Sequence, residues 1–117
     1  MSSSLEVTDQ AAAAVAVAPR VTLADIEAAI GARYDFTAEQ AVGSLGFPVV
    51  PPLQLLSICI LSLQNGFTVI GKSAPASAAN FDAELGKKFT YEDAIRQLWP
   101  LMGFALRDRL HREDPNA

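Results

Sequence analysis

Hydrophobic residues change their spacing several times along the chain, and each change marks an element. In "VTLADIEAAIGARY", Leu23, Ile26 and Ile30 recur three and four residues apart, the period of one helix face. Thr22 suits an N-cap, with Asp25 at the third helical position and Val21 placed to staple against Ile26. That helix is expected to end within residues 31–34. "DFTAEQAVGSLG" offers a second short helix, capped by Thr37 and running into glycines. "FPVVPP" at 47–52 reads as an extended loop, because its prolines remove backbone donors and disfavour helix in the residues before them.

The run from Leu53 to Leu63 is apolar except for Gln54, Ser57 and Ser62, and periodicity alone does not separate strand from helix there. The Asn65-Gly66 pair decides for a strand. Both central positions of a type I′ turn need positive φ, which this pair tolerates best. "FTVIGKS" beyond it alternates with β-branched residues. Residues 58–64 and 67–73 are therefore expected to pair as an antiparallel hairpin, with residues 53–57 able to form a helical turn ahead of it. A lone two-stranded ribbon is marginal in water, so helices, a third strand or another copy must cover it.

Downstream, Ser77 is expected to cap a short helix reaching about Lys88. Thr90 with Asp93 repeats the capping-box spacing and opens a longer one. On that helix Tyr91, Ile95, Leu98, Trp99, Met102, Leu106 and Leu110 form one apolar face. Pro100 falls inside it and is expected to kink it. Residues 1–20 are rich in Ser, Ala and Val and read as a flexible arm, ahead of one domain at 21–112 and a tail at 113–117. The expected fold is α+β: a small antiparallel sheet based on the hairpin, flanked by N-terminal helices and a long kinked C-terminal helix. Covering the sheet favours a homo-oligomer, a dimer or higher.

Composition narrows the function. The 117 residues suffice for one domain with a modest core. A net charge of −4 argues against binding polymeric nucleic acid, which wants a clearly basic protein. Cations are nevertheless uneven, since seven of the nine Lys and Arg lie from Lys72 onward. Cys59 is the single cysteine, so no internal disulfide can form, and it reads as a buried small hydrophobe. "AAAAVAVAP" lacks the basic start of a secretory signal, and no window reaches a membrane span. A soluble protein acting inside a cell, away from membranes, is expected.

Candidate chemistry is sparse. Gly66 followed by Gly71-Lys72-Ser73 reproduces the phosphate-loop spacing by letter. That motif must follow a strand and open a helix, whereas here "FTVI" is itself a strand, so the match reads as coincidence. The pairs Asp25 with Glu27, Asp82 with Glu84 and Glu92 with Asp93 fall in predicted first turns, where the helix dipole favours acids. One histidine, His111, and one cysteine supply no metal site and no nucleophile–base pair. The chain reads as a binding protein rather than an enzyme, with no cofactor.

The aromatics are more suggestive. Phe67, Phe81, Phe89, Tyr91, Trp99 and Phe104 are interleaved with Lys72, Lys87, Lys88, Arg96, Arg107 and Arg109. Stacking faces beside cations suit a nucleobase–phosphate ligand. The same pattern also fits a plain core whose helix backs are solvated by charge.

Together, "LSLQNGFTVIGKSA", "NFDAELGKK" and "LWPLMGFALRDRL" carry a resemblance over about residues 20–110. The chain resembles a family of small phage accessory proteins named after gene 49 of a podovirus and gene 66 of a Shigella phage. The recognisable positions are Asn65-Gly66-Phe67, Gly71, Ser73, Asn80-Phe81-Asp82, Gly86, Ala94, Trp99, Gly103 and Leu106-Arg107. That family is in turn similar to the first-type Thoeris anti-defence proteins, sponges that bind cyclic nucleotide immune signals without degrading them.

The resemblance implies a counter-defence protein in the cytoplasm of the infected host, sequestering a signal such as a cyclic ADP-ribose variant or a cyclic oligonucleotide. Phe67, Phe81 and Tyr91 would stack on a base, Lys72, Arg96 and Arg107 would pair with phosphates, and Asn80 would meet ribose or a base edge. Two departures stand out: Pro75-Ala76 where relatives often carry Ala-Cys, and "KKFTYEDA" where they carry a more basic stretch. The alternative is an inhibitor or adaptor that grips a host protein with its C-terminal helix.

Overall fold

The computed structural model describes residues 4–116. Its elements run α1 (Ser4–Val15), α2 (Leu23–Ala29), β1 (Ile30–Thr37), α3 (Ala38–Ser44), β2 (Ser57–Leu63), β3 (Thr68–Ser73) and α4 (Ala83–Glu113), with 3₁₀ turns at Pro51–Gln54 and Ala78–Asn80. The architecture is α+β. An open antiparallel sheet in the order β1-β2-β3 carries the long α4 on one face.

Local chemistry explains the helix starts. Thr22 Oγ1 accepts from Asp25 N while Asp25 returns the bond to Thr22 N, a complete capping box. Thr37 and Gln40 repeat the device at α3. The hairpin forms where expected, but its turn differs. Gly66 has φ +90°, and among the described residues no non-glycine has positive φ, so Asn65 is not left-handed and the turn is not type I′. Residues 64–66 make a three-residue loop in which Gly66 N donates to Leu63 O at 2.9 Å and Leu63 N to Phe67 O at 2.8 Å. This is the type I turn with a glycine bulge. Asn65 Oδ1 accepts from Phe67 N at 2.9 Å, an Asx contact that holds the turn.

Three further expectations are corrected. α2 ends at Ala29, and residues 30–37 leave it directly as β1, the third strand, antiparallel to β2. Nor do two helices divide residues 77–113. Ser77 caps only the 3₁₀ turn, Asp82 caps α4 through Glu84 N and Leu85 N, and α4 runs unbroken through Thr90 and Pro100. Thr90 is fully buried and donates back to Gly86 O and Lys87 O, which removes it as a cap.

The arm reading also fails for residues 4–15. They form α1, whose Leu5, only 6% exposed, joins Leu23 and Ile26 in the core. Asp9 Oδ1 accepts from Arg20 Nη1 at 2.8 Å and from Leu23 N at 3.1 Å, tying α1 to the start of α2. Arg20 and that amide hold the Asp9 carboxyl below the usual carboxylate range. For residues 1–3 and 117 the arm and tail readings lie outside the described residues.

Strand register sorts the side chains. Arg33–Leu61–Val69 and Asp35–Cys59–Gly71 form rows on the face under α4. Close approach requires a glycine at 71, since a Cβ there would stand 1.9 Å from Thr90 O. Cys59 lies fully buried in this layer, and burial pushes its thiol up to about 11. No described helix is long and apolar enough to cross a membrane.

Candidate functional site

β3 is an edge strand, and α4 lies along that edge. Asp93 Oδ2 accepts from Lys72 N at 2.9 Å and Gln97 Nε2 donates to Ile70 O at 2.7 Å. Four helical residues advance about 6 Å, close to two strand residues, so the two contacts stay in step. They also disqualify Gly71-Lys72-Ser73 as a phosphate loop. Gly71 is there to admit α4, and the Lys72 amide is already given to a carboxylate.

Past this crossing, two clefts open beside the N-terminal half of α4. The smaller, about 180 Å³, is lined by Asn80, Phe81, Asp82, Leu85 and Phe89, among others. The larger, about 450 Å³, is lined by Ser4, Lys72, Lys88, Phe89, Glu92, Asp93 and Arg96. Ser73 and Phe89 belong to both, so the clefts meet at the Phe89 ring. Phe89 is 49% exposed. The larger cleft falls in the range of about 300–1,000 Å³ usual for small-molecule sites.

The charges in the groove are not equally available. Glu92 is buried and accepts from Ser4 Oγ at 3.2 Å, with the Arg96 guanidinium at 3.6 Å. Arg96 Nη2 also donates to Ser4 Oγ at 2.7 Å, so α1 helps to position it. Asp93 is committed to the β3 edge. Lys88 is partly buried and, among the described residues, forms no ion pair. An anion entering beside Phe89 would meet Lys88 and Arg96 while both acids are already engaged.

The structure divides the seven candidate residues. Asn80 and Phe81 line the small cleft, and Arg96 the large one. Lys72 reaches the large cleft at the β3 edge, but strand alternation starts its side chain on the face away from α4. Tyr91 faces elsewhere: the Arg33 guanidinium lies 4.3 Å from its ring centroid and its hydroxyl donates to Glu27 Oε2 at 3.4 Å. Burial, with Glu27 nearby, raises the Tyr91 hydroxyl pKa above its ordinary value. Phe67 sits at the hairpin end of β3, five residues and roughly 17 Å of strand from Lys72. Arg107 stands eleven residues, roughly 16 Å along α4, beyond Arg96.

Lys88 and Phe89 belong to the aromatic–cation pattern of the sequence but are not among the seven candidate residues. A signal for Phe89 existed. Phe89, Glu92, Asp93 and Arg96 recur at i, i+3, i+4 and i+7, a second helix face beside the apolar one. It is visible only once α4 is extended back to Ala83, which the Asp82 cap dictates.

The chain belongs to the phage protein family described as N4 Gp49/phage Sf6 gene 66, whose model matches residues 21–110 of the 117. No curated protein and no solved structure matched it.

Proposed function

We propose that this member of the phage family binds a nucleotide-like ligand in the groove around Phe89 and holds it without cleaving it. In an infected bacterium it would withhold a cyclic nucleotide immune signal, such as a cyclic ADP-ribose variant or a cyclic oligonucleotide, from the host's defence. The reading rests on one observation above all. A half-exposed aromatic ring separates the Asn80–Phe81 cleft from Lys88 and Arg96. A base stacked on Phe89 gains about 1–3 kcal/mol, and a phosphate beside it reaches both cations.

This role asks no chemistry of the groove. It holds no histidine and no cysteine, and its two acids in the large cleft are spent on structure. Sequestration needs only affinity and slow release. The test is native mass spectrometry of the protein with a panel of cyclic nucleotides, followed by heat release and analysis of the ligand. An adduct of ligand mass, returned intact, is the expected result. A hydrolysed product, or no adduct with any member of the panel, contradicts the proposal.

One observation favours the inhibitor or adaptor reading as the second choice. Leu101 and Phe104, 47% and 75% exposed, stand on the C-terminal half of α4. A host protein captured through them would leave the groove ligand-free.

A further inference from the structure

The face of the sheet opposite α4 exposes apolar side chains at its centre. Strand register sets nine positions there in three rows: Ala32–Ser62–Thr68, Tyr34–Ile60–Ile70 and Phe36–Ile58–Lys72. The central row is aromatic and aliphatic throughout. Its outer members Tyr34 and Ile70 are 58% and 57% exposed. A sheet is stable when both faces meet a partner or water suits one of them. Here the charged pair Arg33–Asp35 lies on the α4 side of the sheet, and the apolar alternates of β1 point to the other face.

The geometry points to a second copy of this chain as the occupant, packed face to face across an in-plane two-fold axis. Charge is the first argument. Lys72 is the only ionisable cation or anion among the nine, apart from the weakly acidic Tyr34 phenol, so the face offers little to nucleic acid or an anionic membrane. It does match itself. An axis along the strands sets Tyr34 against the partner's Ile70, Ile60 against its own copy, and Lys72 against the partner's Phe36. An axis across the strands sets Lys72 against the partner's Thr68. Neither brings the two lysines together, and both keep Ile60 on the axis.

Size is the second argument. Three strands about 4.8 Å apart and six residues long project roughly 300 Å², on the order of 500 Å² of accessible surface per copy. Two copies bury on the order of 1,000 Å², the lower bound for specific association. Edge pairing is a poor rival. The β3 edge is occupied by Asp93 and Gln97, and the β1 edge carries Arg33 and Asp35. The product is a six-stranded sandwich with an α4 on each outer side, its sheets crossing at about 30° and spaced about 10 Å apart.

Sedimentation velocity of the full chain over about a hundredfold concentration range tests this. Wild type is expected to reach dimer mass at the upper end, and Ile70→Lys to remain a monomer throughout with unchanged far-UV circular dichroism. Ile60→Cys supplies a readout that leaves the surface charge alone. Position 60 faces its own copy under either axis, and Cys59 is buried, so mild oxidation should give one interchain disulfide. A wild type that stays monomeric overturns the inference. So does a dimer that survives Ile70→Lys while Ile60→Cys fails to cross-link.

Discussion

At Gly71 one added methyl group would sit 1.9 Å from Thr90 O and 2.8 Å from Ala94 N, both backbone atoms of α4. Neither can move without lifting the helix off the sheet. Gly71→Ala should therefore cost at least about 3 kcal/mol, beyond the usual penalty of overpacking. Gly66 is the opposite case. A Cβ there meets nothing within 4 Å, and the difficulty lies only in φ +90°. Gly66→Val should cost about 1–2 kcal/mol through backbone strain. Urea denaturation of both variants gives the ordering, and a Gly71→Ala no less stable than Gly66→Val would contradict the α4–β3 contact. Both glycines stood out in the sequence, but for different supposed reasons. The turn glycine announces itself through its Asn neighbour, whereas a glycine chosen for helix clearance leaves no local mark.

Among the elements, those with local chemical signals were legible. Capping boxes at Thr22 and Thr37 and the Asn65-Gly66 turn are written within a few residues. β1 was missed although "ARYDF" alternates apolar and charged residues. Its charges lie on the α4 side, where Arg33 finds Asp35 and the Tyr91 ring, so the usual rule of apolar residues on the packed side inverts. α1 was missed because its composition is that of an arm, with Leu5 its one large anchor. That anchor makes the helix testable. Leu5→Ala should lower stability by about 1–3 kcal/mol and reduce helical ellipticity together with it. Should the melting curve stay at wild type, α1 does not dock, and the Ser4 contact to Arg96 goes with it.

The whole molecule is elongated, 56 × 31 × 19 Å with a radius of gyration of 17.5 Å, against roughly 13 Å for a compact domain of this length. α4 explains this. Its 31 residues span about 46 Å, and every fully buried position on it lies at or before Leu98. The half that packs also builds the groove, and the half that projects carries Arg107 and Phe104. No sequence periodicity separates these halves, because the apolar stripe continues to Leu110. Where the sheet and the segment around Val21 end, the helix stops being covered.

Groove and projecting helix thus make opposite claims on the ligand, and one measurement divides them. Calorimetric titration of a cyclic nucleotide that the protein binds, into wild type, Phe89→Ala and Arg107→Ala, reads the site directly. The account predicts a loss of about 1–3 kcal/mol for Phe89→Ala, from the missing stack, and wild-type affinity for Arg107→Ala. The reverse ordering, or equal affinity in all three, would contradict a ligand held against Phe89.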